Sequence, residues 1–93
     1  MRENLKKHKI GYDYRKFKKI ITGRIVHFDY ETESNCIVET FGTTNPQIIS
    51  AIYPDAKTAP PGKKTGYFYY FDCVWVIWRE FKIKDFLAVW PTG

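Results

Sequence analysis

The chain has 93 residues, 44% hydrophobic and 18% aromatic, with 15 Lys and Arg against 10 Asp and Glu for a formal charge of +5. That length allows one core and leaves no room for a second domain. The ring content excludes a disordered chain, because folding buries enough apolar surface to offset the lost chain entropy. The charge is segmental: residues 1–24 hold nine bases and two acids, whereas residues 25–93 hold six bases and eight acids.

In chain order, residues 1–16 mix charge with a few apolar anchors, among them Tyr12 and Tyr14. They read as a basic arm or a short frayed helix, with Gly11 expected to break any helix running through it. No apolar stretch follows the leading Lys and Arg as it would in a secretory signal, which places the protein in the cytoplasm. From Phe17 the β-branched and aromatic residues Ile20, Ile21, Ile25, Val26 and Phe28 predict a long strand, bent at Gly23. Polar residues 31–35 form a turn and Cys36–Phe41 a second strand, so 17–41 is predicted to be a β-hairpin.

Asn45-Pro46 is a helix start, with Asn capping a free amide and Pro in the first turn where its missing N–H matters least. Ile48, Ile49 and Ile52 lie on one face of a short helix over 45–53, which Pro54 ends. Residues 54–66, containing Pro60-Pro61-Gly62, form an extended loop. Residues 67–90 are aromatic-rich strands, and the run from Tyr67 to Trp78 is apolar on both faces, as one central strand or two strands bent near Asp72. That run contains Asp72 and falls short of the roughly 20 residues of a membrane span. The fold class is therefore α+β: a small, mainly antiparallel sheet of four or five strands, or a half-open barrel, with one short helix and a basic N-terminal arm.

Motifs for chemistry are weak. Gly62-Lys63-Lys64-Thr65 resembles the end of a phosphate-binding loop, but Lys57 and Lys64 stand where that motif needs Gly and Ser or Thr. Asp29, Glu31 and Glu33 alternate on an extended chain, and nothing nearby completes a cation's ligand set. His27 and Cys36 lack a third group to orient a nucleophile. Cys36 and Cys73 read as reduced thiols, with a bridge between them open to an exported protein. No cofactor or metal is implied, and no enzyme.

Two binding readings remain. In the first, the protein is a non-catalytic accessory that binds a polyanion, nucleic acid above all. Arg2, Lys6, Lys7, Lys9, Arg15, Lys16, Lys18, Lys19 and Arg24 form a phosphate track, joined by Lys57, Lys63 and Lys64 of the loop, while Tyr12, Tyr14 or Phe17 stacks on bases. An acidic protein face would satisfy the same charge. In the second, the chain is a protein-interaction module, a compact inhibitor or assembly subunit, anchored by Trp75, Trp78 and Trp90.

Overall fold

The computed structural model describes residues 10–91, the side chains of 10–13 excepted. Helix α1 spans Ile10–Ile20 and is followed by strand β1 (Val26–Glu31), β2 (Ile37–Thr43), helix α2 (Pro46–Ile52), β3 (Tyr67–Asp72), β4 (Ile77–Lys82), a 3-10 turn (Ile83–Asp85) and β5 (Phe86–Val89). The five strands form one antiparallel sheet in the order β4-β3-β2-β1-β5, which does not close into a barrel. The α+β class expected from the sequence is what the chain adopts. Among the described residues no helix is long and apolar enough to cross a membrane.

The main departure is at the start. The long strand expected from Phe17 is instead the end of α1, and the hairpin begins only at Val26. Tyr14, Phe17, Ile20 and Ile21 recur at the spacing of one helical face, and sheet packing prefers that arrangement to the β tendency of each residue taken singly. Gly11 does not break the helix, since it lies in the first turn, where few intrahelical bonds depend on it. The helix stops at Thr22-Gly23, where Gly23 N and Arg24 N both donate to the Ile20 carbonyl. The Ile21 carbonyl accepts from Thr44 N at 3.0 Å and from the Thr43 hydroxyl at 3.1 Å, which ties the end of α1 to the end of β2.

Phe17 is the centre of the core. Its ring lies 4.7 Å from both Phe28 and Phe86 and 5.1 Å from Phe68. α1 thus seals one face of the sheet over β1 and β5. The other face is covered only in part, by α2 and the chain after it: Ile49 is buried, and the Tyr53 and Trp78 rings both pack on Phe71. Asn45 caps α2 through Ile48 N at 3.0 Å, as its sequence predicts.

β1 pairs with β2 over six positions, and β3 with β4 over six, but β2 and β3 pair only through Gly42 with Asp72 and Thr43 with Phe71. The apolar run 67–78 is thus two strands turning after Asp72, the second of the two arrangements its pattern allowed. The sheet curls until Tyr30 on β1 stacks on Phe81 of β4, ring centroids 4.6 Å apart. That curl needs a residue without a side chain at the seam. A Cβ on Gly42 would lie 2.5 Å from Tyr70 Cδ2 and 3.0 Å from the Phe71 carbonyl oxygen.

Gly42→Ala is expected to destabilise the protein by about 1–3 kcal/mol, the range for overpacking a filled interior, read as a lower midpoint in urea. A second expectation concerns alkali. Burial pushes the Tyr30 and Tyr70 hydroxyls above the ordinary 10.0. The folded chain therefore keeps protons that the unfolded chain releases. Stability is whole below pH 10 and declines above it, by about 1.4 kcal/mol per pH unit for each retained proton, until the folded values are passed. Denaturant titrations between pH 9 and 11.5, alongside phenolate absorbance, measure both effects.

Candidate functional site

Cations predicted for a phosphate track fall into three groups. Arg2, Lys6, Lys7 and Lys9 lie outside the described residues, as does the Tyr12 side chain. Arg15, Lys16, Lys18 and Lys19 are exposed on the outer arc of α1, opposite Phe17 and Ile21, and Arg24 is exposed in the turn that follows. None of these five takes part in the ion pairs found among the described residues, which are His27–Glu39, Lys64–Glu80, Arg79–Asp72 and Lys82–Glu33.

Lys57, Lys63 and Lys64 belong elsewhere, on the loop before β3. Lys64 Nζ donates to Glu80 at 2.7 Å and sits 4.2 Å over the Tyr67 ring, a hydrogen bond that raises the lysine's pKa and lowers the carboxylate's. Glu80 is on the sheet face away from α1, so the structure does not join the loop lysines to the helical arc. Tyr14 turns inward, half-buried against Phe17, Phe68 and Phe86. Its ring forms part of the wall of the core.

The acidic and thiol candidates do not converge. Asp29 is buried and accepts from Ala88 N at 3.1 Å across the β1–β5 bulge. His27 bonds Glu39 at 2.8 Å and stacks on Phe41 at 4.3 Å, while Cys36 stands at the far end of the hairpin. Cys36 and Cys73 are both free. Among the described residues no three His, Cys, Asp or Glu side chains could hold a metal ion.

The tryptophans differ sharply. Trp78 lies edge-on to Phe71 and donates its indole N–H to the Lys57 carbonyl at 2.9 Å. Trp90 is half-buried and stacks on His27. Trp75 alone stands out, 65% exposed, and its neighbours Val74, Val76 and Ile77 are 58%, 45% and 50% exposed. Four consecutive large apolar residues in water form a patch that ordinary surfaces avoid. The sequence marks Trp75 as an interface anchor but leaves Val74, Val76 and Ile77 within the apolar run, with no role of their own. One signal was available: the run of apolar residues is longer than a usual strand of five or six, so it had to turn somewhere inside itself.

The turn is held rigidly by Asp72, which is fully buried. Asp72 Oδ1 accepts from both Val74 N and Trp75 N at 2.9 Å, and its carbonyl accepts from Val76 N at 2.7 Å. Oδ2 accepts from the Thr40 hydroxyl at 2.8 Å and the Tyr70 hydroxyl at 3.2 Å, with Arg79 Nη1 at 3.7 Å. Tyr70 and Tyr30 share a further bond of 2.8 Å. From the other face, Tyr53 donates its hydroxyl to the Cys73 carbonyl at 2.8 Å. Val76 is held at φ 59, a left-handed conformation that a β-branched residue adopts only under strain. The network overrides that local preference and keeps the apolar side chains outward.

Comparison with protein-family models, curated proteins and solved structures finds no match for this chain.

Asp72→Ala removes all of the side-chain bonds at once and leaves Arg79 facing an uncharged site, so it is expected to cost about 3–5 kcal/mol. Asp72→Asn keeps an acceptor for the turn amides and should cost less. Guanidinium denaturation of the two variants gives the ordering, and equal losses would show that the turn bonds contribute nothing.

Proposed function

We propose that this chain is a non-catalytic binding protein that docks a partner protein through the β3–β4 turn, with Trp75 as the anchor. The observation that carries this reading is the exposed run Val74-Trp75-Val76-Ile77 on a turn fixed from both faces of the sheet. Covering each such side chain is worth about 1.5–3 kcal/mol. A surface already ordered loses little side-chain and loop entropy on association. Trp is also the residue type most often found to dominate an interface.

A second reading, binding of a polyanion and of nucleic acid in particular, draws on the exposed cations Arg15, Lys16, Lys18 and Lys19 along one arc of α1. Such a ridge neutralises phosphates without reading sequence, and its binding weakens steeply with salt. The ridge ranks second because charged outer arcs are what most surface helices carry, whereas a run of exposed apolar residues needs a reason.

The two separate in one experiment. Full-length protein is immobilised and exposed to nuclease-treated extract at low and high salt, beside Trp75→Ser and a Lys16→Ala/Lys19→Ala double variant. The first reading expects a protein band that survives high salt, is lost with Trp75→Ser and persists with the lysine variant. A band that ignores Trp75→Ser, or partners that vanish with nuclease and salt, would overturn it.

A further inference from the structure

Beside the turn, Trp75, Ile77 and Arg79 line a shallow hollow of about 280 Å³. Ile77 and Arg79 alternate on the inner face of β4, Ile77 opposite Asp72 and Arg79 opposite Tyr70. Among the described residues β4 is an edge of the sheet, and one side of its backbone pairs with no strand. Unpaired edges of this kind are templates for an added strand.

Arg79 is the informative side chain. Its side chain is 30% exposed and its closest acidic contact is Asp72 Oδ2 at 3.7 Å, beyond hydrogen-bond length. That oxygen already takes short bonds from Thr40 and Tyr70. No hydrogen bond from the guanidinium is formed among the described residues. A fork of N–H donors at the end of an apolar hollow suits a carboxylate, which it can hold through two parallel bonds.

Resting on the reading that the turn is the contact surface, we infer that the partner supplies an extended segment that pairs along the free edge of β4. One of its apolar side chains sits between Trp75 and Ile77, and an Asp or Glu two residues along the same face meets Arg79. The alternation of the hollow sets that spacing, since residues i and i+2 of a strand share a face. Two β4 strands paired about a two-fold axis centred on Arg79 or Glu80 would set like charges directly opposite, which disfavours those registers for a second copy of this chain.

The test is a peptide selection. A phage-displayed library of random peptides is panned on the full-length protein, and the recovered sequences are synthesised and titrated by fluorescence polarisation. The expected peptides place an apolar residue two positions from Asp or Glu and shift backbone amide resonances of Ile77–Lys82. Their affinity falls about tenfold or more with Arg79→Gln, and equally when the peptide's own acidic residue becomes Asn or Gln on the unaltered protein. The peptide substitution keeps the test decisive should Arg79→Gln disturb folding. Failure to recover any peptide, absence of acidic residues, or shifts confined to α1 would overturn the inference. Peptides that need Trp75 but ignore Arg79 overturn it and leave the docking reading standing, while peptides indifferent to Trp75 overturn both.

Discussion

A single buried carboxylate organises the half of this molecule that carries the β3–β4 turn. Asp72 ends β3 at the point where that strand meets β2, and its two oxygens serve different ends. One gathers Thr40 and Tyr70 and so stitches the short seam between the two parts of the sheet. The other collects the amides of Val74 and Trp75 and so shapes the turn that follows. A carboxylate in so enclosed a place is tolerable only because each oxygen is multiply bonded and a guanidinium stands nearby. The seam and the display of Trp75 are therefore one structural fact: a change that loosens either is felt by both.

The same economy shows in the core. A chain of this length buries a limited fraction of its surface, and here rings do most of the filling, with Phe17, Phe28, Tyr30, Tyr70, Phe81 and Phe86 in one cluster. The curl that brings β1 against β4 depends on Gly42, where the Tyr70 ring fills the space a side chain would take. Within that cluster the Tyr30 and Tyr70 hydroxyls bond each other, and Tyr70 and Thr40 bond Asp72, while among the described residues the sheet remains open at both edges.

Much of this was legible in the residues. Asn45-Pro46 named its helix because capping and the first-turn proline are local effects, and the polar stretch 31–35 named its turn for the same reason. Phe17 through Ile21 misled because those residues favour strands individually and the deciding factor, the ring-lined face of a distant sheet, is not local. Trp75 was marked as a candidate, yet its neighbours were hidden among the core residues. Composition along 67–78 is uniformly apolar, and only the carboxylate of Asp72, acting through bonds to residues on other strands, divides buried from exposed. The cations of α1 were visible as charge, but Tyr14 was not visible as a core ring, since its inward aim depends on the distant Phe68 and Phe86 against which the helix packs.

The strand order carries one last consequence, for how the chain is made. β1 lies inside the sheet, with β2 on one side and β5 on the other, and β5 comes last of the strands. A chain emerging from the ribosome can close the β1–β2 hairpin early, but the second margin of β1 stays open until Phe86–Val89 has cleared the exit. During that interval Phe28 and Tyr30 lack their final neighbour, and the nascent protein exposes a sticky border that the finished one conceals.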